Sequence, residues 1–503
     1  MATGTGILSK AALRPNKPDL NVDLVATTNG AKVNTYPTTI ALATTNAQRM
    51  GPYDLLPLLT EGINENYEYD DDKTIQGKSG VKGHDVVSKF SGGPLELQGH
   101  YLGLDNAFAL ALGYEKPGFD DSPTYDESVS GDNPMTGTTT GGSTGTTLED
   151  TNAGGQFVVG NIGEWVRISD SGDATEGQVR RITARASATT ATIDSAWISD
   201  PGAGSDYEIS RVFSHTFECS TSLHIETFDN VFSNYSTETS GNSSDVMMRH
   251  GTLVFEKTVD QWEWRGVMIN QLTFNYSIIN GLNLTADMVP FDMLLGSSVN
   301  TASTSWDYSA GPTAPIHLQE RIIGADLTFR IDDFSTGTLL SSTDNQGISE
   351  WTMNINNNLK TDQQTTISAT HIDEPFRSGF REITGTVTLP RYAANTFFTK
   401  YQADTVLMAS LIFEGSTLTG TNISSKNTLK IWIRSLKLTN VSASIDGPGA
   451  IPITFGYKAL IPTANTAVDT NHNAPTPNNA NTEIILRSIN NNPFNSLRAQ
   501  NGE

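Results

Sequence analysis

The pattern that most constrains the fold of this chain is a β-strand followed at once by one short helix. Residues 95–102 alternate between apolar and polar side chains, which predicts a strand, and the chain then turns at Gly103. An apolar residue recurs every four positions over residues 104–112, which predicts a helix that Asp105 caps and Gly113 ends. Such a unit favours a sheet with one helix packed on it.

The sequence repeats this unit later in the chain. Residues 382–389 repeat the alternating strand and residues 393–401 repeat the helix. Two more pairs of similar stretches flank the units in the same order, namely 62–66 with 355–359 and 269–274 with 433–438. All-β chains share alternation and glycine-rich turns, so each similarity is weak by itself. The common order, with a single helix at the same place in each half, favours a tandem duplication.

Composition places the chain among mostly-β proteins. Of its 503 residues, 37% are hydrophobic and 17% are charged, and Gly, Thr, Asn and Ser are abundant. Strands and turns use these residues, and the apolar fraction is large enough to build cores. We therefore predict a mostly-β fold of two tandem β-sandwich or β-barrel domains, each with one short helix, plus an inserted small β-module.

The predicted first domain is split by an insertion. It comprises residues 51–120 and 213–295, and the second domain comprises residues 318–460. Residues 121–212 lie between the two parts of the first domain. They begin with a nearly low-complexity stretch, predicted to be a linker or long loop, and continue with short alternating runs that predict a small β-barrel module. The remaining segments are an N-terminal arm (1–50), a linker (296–317) and an extended C-terminal arm (461–503).

The two polar arms suit strand exchange with neighbouring chains. The C-terminal arm ends in a brief apolar anchor at residues 484–486, followed by Phe494. The Asn280-Gly281 pair lies between two alternating runs and predicts a tight β-hairpin.

The chain is strongly acidic. With 55 acidic and 32 basic residues its formal net charge is −23, so its surface repels phosphate groups, although such a surface suits a wall past which DNA slides. The densest acidic run is Glu65, Glu68 and residues 70–72. It lacks the Asp-x-Asp-x-Asp-Gly frame of a calcium loop, so we favour a solvated acidic loop over a Ca²⁺ site.

Motifs of enzymes are missing from the sequence. It has no Gly-rich phosphate loop, no G-x-S-x-G elbow and no H-E-x-x-H helix, so we expect no enzyme, no catalytic residues and no cofactor. His215, Cys219 and His224 could coordinate a metal, but strand alternation spreads such side chains over both faces. We therefore expect no metal site, and we interpret residues 446–449 as a turn.

Sequence features also favour a particular compartment. No stretch approaches the roughly 20 apolar residues that a membrane-spanning helix needs. The first residues lack the basic and apolar regions of a signal peptide, and the single cysteine, Cys219, excludes an internal disulfide framework. We expect a protein without a membrane span that is made and assembled in a cytosol.

Four stretches carry a resemblance to a known family: residues 99–114, residues 157–167, residues 265–272 and residues 381–387. In their order and pattern they resemble the tail tube (major tail) proteins of long-tailed, non-contractile bacteriophages, over about residues 50–460. The resemblance implies tail-tube-type domains, each a β-barrel-like sandwich with one helix, that stack as rings into a hollow tube. The chain departs from the family in two ways: it is far longer than contractile-tail tube proteins, and an internal module replaces the usual terminal immunoglobulin-like domain.

The resemblance also implies a function and partners. The chain would be a structural virion protein of the phage tail, assembled in the host cytoplasm, whose tube conducts DNA to the host. Because rings of this family usually hold six tube domains, two domains per chain imply homotrimeric rings. The expected partners are the tape measure protein and passing DNA in the lumen, and the tail terminator and distal tail proteins at the tube ends.

An alternative interpretation is a glycan-binding or adhesin-type β protein of a virion or cell surface. Trp262, Trp264 and Trp306 could stack on sugars, although core packing accounts for each of them equally well.

Overall fold

A computed structural model provides the structure of the chain. It describes residues 10–15, 54–71, 84–119, 135–152, 157–162, 164–168, 179–193, 196–197, 200–210, 212–219, 246–247, 251–257, 260–290, 292–295, 320–334, 340–360, 376–418, 425–445, 449–463 and 482–490. These residues form 27 β-strands and two α-helices. The prediction of a mostly-β fold is confirmed.

The first half of the chain contains the first helix and most of the strands. Before the insertion its elements are β1 (Lys10–Pro15), β2 (Leu58–Glu61), β3 (Asn64–Asp71), β4 (His84–Gln98), α1 (Asp105–Leu112) and β5 (Gly113–Phe119). The inserted strands are β6 (Met135–Thr138), β7 (Thr147–Glu149), β8 (Trp165–Ile168), β9 (Val179–Ser187), β10 (Thr190–Ile193) and β11 (Asp206–Ser210). After the insertion follow β12 (Phe213–Cys219), β13 (Val246–Met247), β14 (Gly251–Glu256), β15 (Gln261–Ser277), β16 (Gly281–Val289) and β17 (Asp292–Leu295).

The second half contains the second helix, which overlaps the predicted patch and ends one residue beyond it. Before this helix its strands are β18 (Leu327–Asp333), β19 (Asn345–Gln346), β20 (Glu350–Asn356), β21 (Leu359–Lys360), β22 (Phe376–Arg377) and β23 (Glu382–Leu389). The helix, α2 (Thr396–Gln402), is followed by β24 (Leu407–Thr417), β25 (Lys426–Ser442), β26 (Ile453–Ala459) and β27 (Ile484–Asn490).

One long antiparallel sheet, here called the main sheet, joins both halves. Its strand order is β2-β4-β16-β15-β20-β23-β26-β25-β24-β18. The pairing of β15 with β20 is the contact between the two halves within this sheet. The predicted hairpin at Asn280-Gly281 is the β15–β16 turn, where Gly281 has a φ of +71° that L-residues with side chains rarely adopt.

The strand pairings of the first half recur in the second. In the first half β1 pairs with β14, β14 with β15, β15 with both β16 and β17, β16 with β4, and β4 with β2. In the second half β18 pairs with β24, β24 with β25, β25 with both β26 and β27, β26 with β23, and β23 with β20. Each helix follows the corresponding strand, β4 or β23. The pattern supports the predicted duplication and makes β2 the counterpart of β20 and β15 the counterpart of β25.

Both helices pack on the apolar face of the main sheet. All eight residues of α1 are buried, and Phe108 stacks on Phe274 of β15 with 5.8 Å between ring centroids. In α2, Phe397 stacks on Phe455 of β26 at 4.5 Å. Alternation along the strands supplies the apolar side chains under each helix.

The C-terminal end of α1 agrees with the sequence prediction, but the N-terminal cap does not. Gly113 ends the helix in the left-handed conformation, with a φ of 87°, as predicted. The prediction that Asp105 caps the helix was wrong. Leu104 occupies the cap position and makes no side-chain cap bond, because the helix begins at Asp105, one residue earlier than a cap at Asp105 would require. The Asp105 carboxylate instead accepts a 3.0 Å hydrogen bond from the Asn490 amide of β27.

The inserted strands form a separate sheet with its own core. The sheet order is β6-β11-β8-β9-β10-β7, and its core includes Leu148, Phe157 and Tyr207. The prediction of a linker or long loop over residues 121–155 was wrong for β6 and β7, because these strands pair with β11 and β10 and Leu148 of β7 is buried in the core of the inserted sheet. The first of the short runs read as strands, residues 156–159, forms no strand over its described residues 157–159, because a 3₁₀ turn starts at Val159.

The insertion leaves and re-enters the fold at neighbouring points. Phe119, the last residue of β5, pairs with Phe213, the first residue of β12. The insertion therefore replaces what would otherwise be the short loop of a β5–β12 hairpin.

Each predicted arm contributes one strand that pairs within the chain. In the N-terminal arm β1 pairs with β14, and in the C-terminal arm β27 lies between β12 and β25. The predicted apolar anchor at residues 484–486 is confirmed, because these side chains are buried in β27. The 296–317 linker lies outside the described residues.

Candidate assembly surface

One face of the main sheet is polar. In β15 the buried residues Leu272, Phe274 and Tyr276 alternate with polar residues that face the other way. Neighbouring strands keep the same register, so polar residues line up in rows across the sheet. One row takes a residue from each of eight successive strands: Thr60, Glu96, Thr285, Thr273, Asn354, Thr384, Lys458 and Lys437.

Uncharged side chains dominate this polar face and bond to one another. The Thr352 and Thr386 hydroxyls are 2.8 Å apart, and the Thr388 and Thr454 hydroxyls are 3.1 Å apart. Each bond joins adjacent strands, which is the arrangement that stabilises a sheet through its side chains. The face therefore satisfies part of its hydrogen-bonding capacity internally and leaves fewer groups to hold a ligand.

The polar face carries few charged residues, and acidic residues slightly outnumber basic ones among those described. Two lysines, Lys437 and Lys458, lie among four carboxylates: those of Glu96, Asp287, Glu350 and Glu382. The Lys458 ammonium donates to Glu382 at 2.8 Å, and Lys437 forms an ion pair with Asp404 in the α2–β24 connection. With each of these two lysines engaged by a carboxylate, no strong cationic patch for phosphate remains among the described residues of this face from β2 to the second part of β25.

The polar face ends at two strand edges that lack partners in the described part of the chain. At one end of the sheet β2 pairs with β4 alone. At the other, β24 follows β25 only as far as Leu436, so residues 437–442 have β26 on one side and no described strand on the other. Residues 439, 440 and 442 are exposed. An unpaired edge presents backbone N–H and C=O groups that can accept another strand.

These two edges are counterparts of a contact that the chain already makes. Within the chain β15 pairs with β20 over seven residues, from Gln271 opposite Asn356 to Ser277 opposite Glu350. The counterparts of β15 and β20 are β25 and β2, whose corresponding edges lack partners among the described strands. The two edges lie toward opposite ends of the main sheet, so a second copy of the chain could provide the missing strand for each.

Of the three metal-ligand candidates, the two that the structure describes lie far apart. His215 and Cys219 lie buried in β12, about 13 Å apart for four residues along one strand. The His215 ring stacks on Phe217, and His224 lies outside the described residues. Burial raises the pKa of the Cys219 thiol to about 11, which disfavours the thiolate that metals bind. No group of three metal-binding side chains occurs in the described ranges.

The acidic run lies on a strand, so the prediction of a loop was wrong. Glu65, Glu68, Asp70 and Asp71 belong to β3, which pairs with the first half of β4. Asp71 accepts a 2.7 Å hydrogen bond from His84 across this hairpin, and Asp72 lies outside the described residues.

The structure describes two of the three tryptophans that could stack on sugars, Trp262 and Trp264. Trp264 is fully buried, and Lys257 places its ammonium nitrogen 3.5 Å from the ring centroid of Trp262. Trp306 lies outside the described residues, as does most of the predicted turn at 446–449. The structure therefore adds no observation in favour of the glycan-binding alternative.

No protein-family model matches the chain, and no curated protein is similar to it in sequence. The proposal below rests on the sequence pattern and on the geometry of the main sheet.

Membrane insertion through a helix finds no support in the part of the chain that the structure describes. No helix there is long and apolar enough to cross a bilayer.

Proposed function

We propose that this protein is a tail tube subunit of a long-tailed bacteriophage, which closes into trimeric rings that stack as a hollow tube. The observation that carries the proposal is the pair of edges on β2 and β25 that have no partner among the described strands and that correspond to the β15–β20 contact inside the chain. A chain that makes a contact once internally, and carries the matching edges at its ends, is built to repeat that contact with copies of itself.

The contact is heterologous, which allows the repeat to close into a ring. Each chain offers its β25 edge to the β2 edge of the next, and such head-to-tail contacts generate a closed ring when the rotation is right. With two halves per chain, three chains provide six halves and six similar contacts, three within chains and three between them. The ring would then be one continuous barrel without exposed sheet edges.

The polar face of the main sheet would line the lumen of this ring, since the apolar face is covered by α1 and α2. Threonine, asparagine and glutamine side chains with a small excess of carboxylates neither release counterions from DNA nor hold its phosphates. A wall of this kind lets DNA pass without adhering, which is what a conduit for genome delivery needs. We expect the lumen to be net negative, and a lumen dominated by Lys and Arg would contradict the proposal.

The remaining partners follow from the same proposal. A tape measure protein would occupy the lumen before DNA does, and tail terminator and distal tail proteins would cover the two tube ends. The protein would reside in the virion tail after assembly in the host cytoplasm, and it would have no enzymatic activity.

The edge contact is tested by the substitution Thr439→Pro. Thr439 lies at a register shift in β25, where it pairs with no residue of β26. A proline there spares the β25–β26 ladder but obstructs a strand that approaches the free edge. We expect the variant to remain folded, with an unchanged circular dichroism spectrum, and to elute as a monomer. Thr439→Ser is the matched control and should form rings. Rings of normal stability in the proline variant would contradict the proposal.

A further inference from the structure

The two halves of the chain can be aligned residue by residue, because their strand pairings are irregular at the same places. The register of β15 with β16 shifts between residues 269 and 271, and the register of β25 with β26 shifts between residues 438 and 440. The shifts of β14 against β15 and of β24 against β25 agree with this alignment. Residues 271–276 therefore correspond to residues 440–445.

The neighbouring strands align as well. Residues 61–66 run along residues 90–95 of β4, and residues 351–356 run along residues 382–387 of β23. Between β2 and β3 the chain stays on β4, because the Gly62 N–H donates to a β4 carbonyl at 2.8 Å. Since β4 pairs with β16 as β23 pairs with β26, residues 61–66 correspond to residues 351–356. The β2 edge thus continues into the first residues of β3.

This correspondence differs from the similarities in the sequence, which pair 62–66 with 355–359 and 269–274 with 433–438. Those two pairings were wrong in register, although each joins corresponding strands. Alternation with a period of two repeats at many offsets, so the sequence alone does not determine the offset.

The aligned stretches carry edges that match a contact inside the chain. Residues 271–276 pair antiparallel with residues 351–356 where β15 meets β20. Their counterparts, residues 440–445 and 61–66, have no strand on the corresponding side among the described residues. The internal contact therefore specifies what residues 440–445 would pair with, which is a second copy of the chain, and in which register.

Residues 440–445 show the alternation of a strand with one buried face. On β15 the core-facing residues are fully or almost fully buried, namely Leu272, Phe274 and Tyr276. Their counterparts are also apolar, namely Val441, Ala443 and Ile445. The first two are partly buried, but Ile445 is 74% exposed whereas its counterpart is 4% exposed. This apolar face continues beyond the end of β25 and becomes exposed there, as expected where a neighbouring strand is missing.

The stretch 61–66 is suited to accept a neighbour. On the polar face Asn64 and Asn66 are exposed, and the counterparts of both in β20 are asparagines as well. On the other face the carboxylates of Glu61 and Glu65 each accept a hydrogen bond within their own chain, from a lysine and from a tyrosine hydroxyl. Pairing with a neighbour would therefore bury no carboxylate that lacks a hydrogen bond.

We propose that residues 440–445 of one chain pair antiparallel with residues 61–66 of the next, with Asn440 opposite Asn66 and Ile445 opposite Glu61. This inference rests on the proposed function and determines which residues meet at the contact between chains. Assembly extends β25 by three residues, to Ile445, and buries the Ile445 side chain. A slip by one residue would turn the apolar residues of this stretch to the polar face, so the register is strongly specified.

The register is tested by disulfide cross-linking in the double variant Ser442→Cys, Asn64→Cys. Residues directly opposite in an antiparallel pair are close enough for a disulfide, whereas diagonal neighbours, at about 7–8 Å, are not. Oxidised rings should yield covalent dimers and trimers on a non-reducing gel, and nothing larger. Ser442→Cys with Asn66→Cys is the offset control and should yield at most about a tenth as much. Thr273→Cys with Asn354→Cys is the counterpart pair and should cross-link within one chain.

Burial of Ile445 is tested with Ile445→Asp. The side chain is exposed in a single chain, so the urea unfolding curve of the monomer should be unchanged. Ring formation should require a protein concentration at least about 100-fold higher, because the contact would bury a carboxylate without a partner. Ser444→Asp is the matched control. It alternates with Ile445 onto the polar face and should form rings at the ordinary concentration.

The possible failures have different meanings. The register would be wrong if rings of the cysteine variants gave no cross-link, if the offset pair cross-linked as well as the predicted pair, or if Ile445→Asp formed rings normally. The proposed function would survive each of these results. Absence of rings from the unaltered protein would instead overturn the proposed function itself.

Discussion

Asn357 joins the two halves of the chain, and its replacement gives a direct measure of how firmly they are held. It follows β20, and its buried side-chain amide donates to the backbone carbonyls of Ala111, in the last turn of α1, and Ile269, in β15, both at 3.0 Å. Its side-chain oxygen accepts from the Arg381 guanidinium at 3.1 Å. A residue of the second half thus bonds to a helix and a strand of the first.

Asn357→Ala would leave two buried carbonyls without the donors they have now. An unsatisfied buried polar group costs about 1–3 kcal/mol, so for two carbonyls and a small cavity we expect a loss of about 3 kcal/mol in the free energy of unfolding. The matched control is Asn275→Ala on the exposed polar face, which should change stability by less than about 0.5 kcal/mol.

Urea unfolding of dilute, unassembled protein measures both variants. Hydrogen exchange at α1 and at the end of β20 locates the effect, because opening between the halves should increase exchange at these two places first. If Asn357→Ala were no more destabilising than Asn275→Ala, or if exchange rose elsewhere, the two halves would not depend on this residue.

Two further predictions concern the buried thiol and the insertion. At pH 8, Cys219 should react with a thiol reagent at least about 100-fold more slowly in the native protein than in urea. The reason is that burial raises the pKa of the thiol to about 11 and blocks access to it. Equal rates would contradict the described burial. Replacing residues 121–211 by a short Gly/Ser bridge should leave ring formation intact, because Phe119 and Phe213 are already strand partners and a tight turn can join them. A folded remainder that forms no rings would contradict this prediction, and so would failure of the shortened chain to fold.

Local patterns in the sequence predicted those parts of the fold that depend on near neighbours. The Asn280-Gly281 turn, the end of α1 at Gly113 and the apolar anchor in β27 each follow from a few adjacent residues. The acidic strand β3 was missed because its charged side chains show no apolar alternation, since the strand depends on backbone pairing with β4.

The candidate surface depends on partners that are far apart in the chain. The row of polar residues requires the register of eight strands, and the counterpart edges require knowing that β15 pairs with β20. Alternation indicates which residues share a face of a strand, but it does not determine which strands are neighbours. The sequence therefore predicted the repeat and a ring but not the edges that would close it.

Cryo-electron microscopy of the purified, polymerised protein tests the central proposal most directly. We predict a tube whose rings hold three chains around an approximate sixfold axis, with the β2 edge of each chain paired to the β25 edge of the next. The inserted module should appear as three projections per ring, because only the first half carries it. Rings of six identical chains, or a polymer in which β2 and β25 meet no neighbouring chain, would contradict the proposal.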